Sequence, residues 1–553
     1  MICSIDFLGN FRSTVLLVSS APGFVSLTCM TPSSAALETL RPAQNILRNT
    51  ALLQFPKKSN TLRGEKRMSE SMILKLHTML TEKQISCQEL TQSYIDASAR
   101  DNAALNAYVT FTPETAMAAA ASVDKKIAAG EEISLLEGIP MTLKDNISTE
   151  NIRTTCCSKI LEDYVPIYDA TVWKILKAQN AVLLGKTNMD EFAMGSSCET
   201  SYFGGAKNPH NIGHVAGGSS GGVASAVGGN IAVYGLGSDT GGSIRQPASF
   251  CGIVGLKPTY GAVSRFGLIA YASSFDQIGP ITTSVEDTAI VFDAVAKYDE
   301  MDSTSQGRKG APVCDTLKNS IKGMKIGVAR EYMDGVREDV REAVEKAADI
   351  YRSLGAEIVY FDLPALKYAL PVYYILACAE ASSNLGRYDG IRYGYKAASY
   401  SDVNDMIKKT RSTGFGDEVK KRILLGTYVL SSGYYDAYYK KAQNLRGTIV
   451  RAFENAFAAC DVILAPTVPM TAFENGHAVS DPVETYLTDI CTVPVNIAGL
   501  PAVSVPCGYN AKGMPIGMQL IGNRFAEAKI INAAWQYENA ADLYRSADFG
   551  VKL

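Results

Sequence analysis

The sequence predicts an α/β fold in which one large mixed sheet is covered by helices on both faces. Three observations predict it. From residue 68 onward, apolar runs of strand length alternate with longer helical stretches, no segment repeats another, and no Pro/Ser-rich linker interrupts the alternation.

The pattern becomes regular at Met68, with a helix predicted over 68–84. Ser86 and Glu89 stand at capping-box spacing ahead of a second helix that runs through Ala99. Helix also fits 113–129, which ends at Gly130. The short apolar run 139–143 reads as a buried strand that delivers Lys144 and Asp145 at its C-terminal end. A helix over 170–179 and a strand over 181–184 repeat the alternation, and further strands fit 325–329, 357–361, 462–465, 502–505 and 516–521. Residues 68–553 are therefore expected to form a single domain.

Residues 1–67 show neither periodicity and mix Pro, Ser and Asn with scattered Arg. They read first as translated sequence upstream of a start at Met68, with a disordered tail or an organelle presequence as the alternatives. Arg12, Arg41 and Arg48 among few acids favour a presequence, but no Arg-rich amphipathic helix accompanies them.

Bulk numbers exclude several function classes. The 553 residues are 47% hydrophobic and 20% charged, an ordinary globular composition with ample material for a core. A formal charge of −3 argues against a chain that grips nucleic acid through its own field. No run approaches the roughly 18 apolar residues of a membrane span. The 12 cysteines contain no CxxC pair and read as reduced thiols of a cytosol-like compartment.

The densest unusual chemistry lies in Ala216 to Gly222 (AGGSSGG) and Gly235 to Pro247 (GLGSDTGGSIRQP), where glycines crowd around hydroxyls. Glycine costs stability, so its use here needs a reason, such as close backbone approach to a ligand by a row of N–H groups. Either stretch alone is most simply a structural turn. Two of them flanking one helix–strand unit favour a site.

Known motifs fail in turn. Gly235, Gly237 and Gly241 have the wrong last spacing for a dinucleotide fingerprint, and Gly185-Lys186-Thr187 lacks the first glycine of a phosphate loop, because Asn180 stands there. Residues 217–221 and 218–222 both satisfy GxSxG, but 207–215 before them do not read as a strand, and His477 is the only histidine downstream. With four histidines in all (His77, His210, His214, His477), none at metal-ligand spacing, histidine-based nucleophilic and zinc chemistry are both poor readings. A serine nucleophile without histidine needs another base that can be neutral near pH 7, and a desolvated lysine supplies one. Lys144, at a strand end behind apolar residues, is the candidate; alone, such a lysine is more often a surface residue.

Gly138 to Ile147 (GIPMTLKDNI) together with the two glycine-rich stretches resembles the amidase signature family. The resemblance implies the amidase-signature fold, with Lys144 as base, Ser219 as a bridge preceded by a cis peptide bond, and Ser243 as nucleophile. Backbone N–H groups of Thr240, Gly241, Gly242 and Ser243 would then form the oxyanion hole, while Asp239 and Arg245 brace the loop.

Four further segments, Thr155 to Leu161, Lys186 to Gly195, Ser431 to Lys441 and Tyr486 to Pro506, resemble the branch of that family formed by A subunits of glutamyl-tRNA(Gln) amidotransferases. That branch implies glutamine as substrate, with Arg422 on its carboxylate, Asp489 on its ammonium and a hydroxyl from Tyr373. It also implies B and C subunits as partners in a heterotrimer, no metal or cofactor in this chain, and ATP and Mg²⁺ used by the B subunit, which holds most of tRNA(Gln). The expected compartment is the cytoplasm, or an organelle if 1–67 is a presequence. The competing readings are a stand-alone amidase for small amides, which needs no Arg422–Asp489 clamp, and a catalytically idle scaffold.

Overall fold

The computed structural model describes residues 71–477, 482–541, 543 and 549–551. Lys66–Leu553 group into one compact unit, and the extension predicted over 1–67 lies outside the described residues.

In chain order the strands are β1 (Tyr108–Phe111), β2 (Pro140–Lys144), β3 (Val182–Thr187), β4 (Lys207–Asn208), β5 (Asn211–Val215), β6 (Tyr234–Asp239) and β7 (Val254–Lys257). They continue with β8 (Gln277–Thr282), β9 (Lys325–Ala329), β10 (Glu357–Phe361), β11 (Val462–Pro466), β12 (Ala502–Tyr509) and β13 (Pro515–Gly522). Eleven of them form one mixed sheet in the order β1-β3-β2-β6-β8-β7-β12-β13-β11-β9-β10. β2 pairs parallel with both β3 and β6, so Lys144, Thr187 and Asp239, the last residues of these strands, lie together at their C-terminal ends. The carboxyl ends of the strands are where open α/β sheets place their sites.

Side chains alternate between faces along a strand, and here each face has its own core. Val462 and Leu464 join one apolar cluster with Val344 and Tyr351 of the helix Glu338–Ser353 and Ile530 of the helix Glu527–Ala541. Ile463 and Ala465, between and after them, join the other with Leu376 of the helix Ala369–Asn384 and Ile449 of the helix Lys441–Ala456. Helices on both faces follow from that alternation.

The expected capping box is complete: Glu89 N–H donates to Ser86 Oγ at 3.1 Å, and Ser86 N–H donates to the Glu89 carboxylate at 2.9 Å. Its helix runs past Ala99 to Leu105, where Asn106 turns left-handed at φ 48°. Residues 207–215 correct the sequence reading, because β4 and β5 pair there as a two-stranded hairpin. The strand is invisible to periodicity because Ile212 is exposed and only Val215 is a buried apolar side chain. No helix among the described residues is long and apolar enough to cross a membrane.

Candidate active site

Lys144 ends a strand whose every residue is buried, and its own side chain is fully enclosed. Its Nζ lies 2.6 Å from Ser219 Oγ, 2.9 Å from Ser238 Oγ and 3.2 Å from the Ser238 carbonyl. Asn146 Nδ2 donates to the same Ser238 Oγ at 2.9 Å. Burial pushes the Lys144 pKa down to about 8, against the pull of the Asp190 and Asp239 carboxylates.

Ser219 sits in the loop ahead of the short helix Gly221–Gly228, and the Gly218–Ser219 peptide bond is cis. Gly218 is needed by close approach: a Cβ there would lie 1.9 Å from Asp190 Oδ2. Asp190 in turn is fixed by donors, accepting from Cys198 N–H at 3.0 Å and Thr200 Oγ1 at 2.8 Å, and its own N–H donates to the Ser219 carbonyl at 3.2 Å.

Ser243 lies in the loop between β6 and the helix Arg245–Phe250 and is 8% exposed. Asp239 organises that loop by accepting from Gly242 N–H at 2.8 Å, Ile244 N–H at 3.2 Å and Arg245 Nε at 3.0 Å. Burial opposes the Asp239 charge, but the Arg245 guanidinium wins and holds its pKa at about 2. Arg245 itself is fully buried and also donates to Gln519, the Thr492 carbonyl and Asn496, so the pair braces the loop as expected. Gly242 has φ 135°, and a Cβ on it would lie 2.3 Å from Thr492 Oγ1. Because the Gly242 N–H is held by Asp239, it serves the loop; no protein partner takes the Gly241 and Ser243 amides among the described residues. The Thr240 hydroxyl donates to Asp276 at 2.6 Å.

The structure thus brings Lys144 and Ser219 into contact. It ties Ser219 to Ser243 through backbone, with Ser220 N–H donating to the Ser243 carbonyl at 3.1 Å. Among the described residues no hydrogen bond joins the two hydroxyls.

The three residues assigned to substrate gather beside this centre. Tyr373 packs against the loop, its hydroxyl 2.6 Å from where a Cβ on Gly241 would stand. Arg422 and Asp489 are 5% and 8% exposed, so neither is a helix-surface charge. Arg422 donates to the Tyr271 hydroxyl at 2.8 Å and to Glu418 at 2.9 Å, and its guanidinium lies 5.3 Å from the Tyr374 ring centre. Asp489 accepts from Ser196 Oγ at 3.1 Å and from the Tyr374 hydroxyl at 3.1 Å. Burial raises the Asp489 pKa to about 7, opposed by the charge of Arg422. Tyr374 stands between cation and anion, and no ion pair joins them among the described residues. A buried cation and a buried anion kept apart suit a zwitterion.

Sequence reasoning missed Ser238, Asn146, Asp190, Ser196, Tyr271 and Tyr374. Ser238 and Asn146 lie inside the singled-out stretches, and Tyr374 follows Tyr373, so proximity to a chosen motif was the available signal.

The Amidase family model matches residues 89–531 of the chain. The chain belongs to this family. Among its relatives, the glutamyl-tRNA(Gln) amidotransferase A subunit of Caldanaerobacter subterraneus subsp. tengcongensis is 55% identical over 466 residues, which cover 84% of this chain and 95% of that protein. The protein of the same name from Neisseria meningitidis serogroup B is 51% identical over 476 residues, covering 86% of this chain and 98% of that protein. The crystal structure of its namesake from Thermotoga maritima superposes with a TM-score of 0.71 at 39% identity, over 87% of this chain and 98% of that one. A peptide amidase from Stenotrophomonas maltophilia superposes with a TM-score of 0.73 at 29% identity, over 87% of this chain and 99% of that one.

Proposed function

We propose that the chain is the glutamine-hydrolysing A subunit of a glutamyl-tRNA(Gln) amidotransferase. The observation that carries this reading is the Arg422–Tyr374–Asp489 arrangement, with its cation and anion both buried, set beside the Lys144–Ser219 contact, because free glutamine presents a carboxylate, an ammonium and a primary amide to be cleaved.

A neutral amine has two N–H groups and one lone pair. The Ser238 carbonyl and Oγ take the two donors, which leaves the Lys144 lone pair for the Ser219 proton. Ser219 then takes the proton of Ser243 as the Ser243 oxygen bonds to the amide carbon. The two hydroxyls must close for this step, as catalytic hydrogen bonds often do only with substrate present. The tetrahedral oxyanion is met by the Gly241 and Ser243 amides. Lys144 returns the proton through Ser219 to the amide nitrogen, the C–N bond breaks, and ammonia leaves an acyl-Ser243. Water, deprotonated along the same path, releases glutamate.

The ammonia passes to a partner B subunit, which with ATP and Mg²⁺ activates glutamyl-tRNA(Gln) for conversion to glutaminyl-tRNA(Gln); a C subunit completes the heterotrimer. This chain carries no cofactor of its own, and its net charge of −3 suits tRNA being held by the partner.

The test is ammonia release from glutamine by the full chain, alone and with B and C subunits. Ser243→Ala abolishes it, yet a complex carrying Ser243→Ala still makes glutaminyl-tRNA(Gln) when ammonium chloride replaces glutamine. Arg422→Ala raises the glutamine requirement by about 1.5 to 3 kcal/mol while a small acylating inhibitor still labels Ser243. A chain that hydrolyses small amides well and ignores the Arg422 change is a stand-alone amidase instead.

A further inference from the structure

Gln246 lies three residues beyond Ser243, is fully buried, and belongs to the helix that follows the nucleophile loop. Its Oε1 accepts from Gly218 N–H at 2.9 Å, the residue before Ser219. Its Nε2 donates to the Ser196 carbonyl at 2.7 Å. Ser196 carries the connection onward, because its hydroxyl lies 3.1 Å from both oxygens of Asp489. The amide fills the space over the glycines so closely that a Cβ on Gly217 would fall 2.5 Å from Oε1.

We infer that Gln246 is a positioning residue that fixes Asp489, through Ser196, at a set distance from the Ser219 and Ser243 hydroxyls. It rests on Asp489 receiving the substrate ammonium. An amide of this length offers an acceptor to Gly218 and a donor to Ser196 at once, whatever the pH. A carboxylate would set oxygen against the Ser196 carbonyl, and an apolar residue would leave both backbone groups unpaired in a dry interior. The segment 195–198 that Gln246 holds is pinned at its far end by the Cys198 N–H bond to Asp190 at 3.0 Å, so its freedom to shift is confined to Ser196 and the residue after it. A small movement there changes the alignment of the ammonium site relative to the nucleophile without touching Arg422.

The experiment compares glutamine with glutaramate, the same molecule without its α-amino group, as substrates of the full chain and of Gln246→Glu and Ser196→Ala. Gln246→Glu, assayed at pH 9 to favour the ionised carboxylate that burial opposes, keeps the acceptor for Gly218 and loses the donor to Ser196; Ser196→Ala leaves Gln246 intact and removes the hydroxyl. The expected result in both is a loss of about tenfold in kcat/KM for glutamine, the size of one hydrogen bond to a charged group. The loss resides in KM, and glutaramate hydrolysis changes by less than about twofold. In an Asp489→Ala background, Gln246→Glu adds nothing to the preference. Equal losses on both substrates, or no loss on either, overturn the inference. If Gln246→Glu fails to fold, Gln246→Met, which also lacks the donor to Ser196, takes its place, and no loss in Ser196→Ala overturns the inference. A wild-type chain with no preference for glutamine over glutaramate sinks the ammonium reading of Asp489; a preference that survives both variants sinks only the role of Gln246.

Discussion

Lys144 and Lys186 are two lysines on neighbouring strands, both fully buried, and burial pushes both pKa values down to about 8. Their registers separate them: Lys144 pairs with Thr187 and Lys186 with Leu143, so the two side chains leave opposite faces of β2 and β3. On its face Lys144 meets three serine groups, one of them a hydroxyl whose proton it can take. On the other, Lys186 Nζ donates to the Ile147 carbonyl at 2.5 Å and to Thr154 Oγ1 at 2.7 Å, and the Thr154 proton is already given to the Ile152 carbonyl at 3.1 Å. Asp145 supplies Lys186 with an opposing charge that pulls its pKa partly back. A depressed pKa therefore does not make a base; an acidic proton within reach of the lone pair does.

The largest effect expected from this contrast is kinetic. Lys144→Met should lower glutamine hydrolysis by at least about 10²- to 10⁴-fold, the usual worth of a general base, with the fold intact by circular dichroism. Lys186→Met should instead cost about 1–3 kcal/mol of stability, by taking the opposing charge from the buried Asp145 carboxylate while the Ile147 carbonyl keeps the Thr149 hydroxyl at 3.1 Å, and keep most of the rate. A folded Lys186→Met chain as dead as Lys144→Met would erase the distinction between the two faces.

The pH profile sharpens the same contrast. In the proposed mechanism Lys144 acts as a base only when neutral, and its pKa lies below the usual lysine value, at about 8, so kcat/KM should rise through about pH 8. The inflection should persist in Lys186→Met, although Lys186 titrates in the same range, because its proton is not on the reaction path. Asp489 adds a second, lower step: with its pKa raised to about 7, it loses its charge as pH falls below that value, and the preference for glutamine over glutaramate should shrink there. Loss of the upper inflection in Lys186→Met would name the wrong lysine as base.

How much of this was legible in the sequence follows from the range of each interaction. The apolar run before Lys144 and the glycines around Ser219 and Ser243 are local signals, and they led to the centre. The choice between the lysines was not local, since both follow apolar strand residues and only the pairing of β2 with β3 assigns their faces. Arg422 and Asp489 carry no local mark at all. Each reads as a polar residue in a helical stretch, and what links them is Tyr374, 115 residues before Asp489, which meets both side chains. Resemblance singles them out where periodicity does not. β5 went unread for the opposite reason, since a short exposed hairpin needs little apolar pattern to form.

The smallest effect concerns Ser238, the group that differs most clearly between the two lysine environments. Its hydroxyl oxygen accepts from Asn146 at 2.9 Å and from Lys144 at 2.9 Å, which turns the lysine lone pair toward Ser219. Ser238→Ala leaves the base and nucleophile in place but frees Lys144 to rotate, so kcat should fall by about tenfold, the scale of one hydrogen bond to a charged group, with little change in KM. The same oxygen also stabilises the protonated lysine, and its removal favours the neutral form, so the inflection should move below pH 8 rather than above it. The defect should accordingly be smaller at pH 7 than at pH 9, where the wild-type base is already neutral and only the lost alignment remains. A defect that grows toward low pH, or one confined to KM, would mean that Ser238 holds the loop and does not aim the lysine.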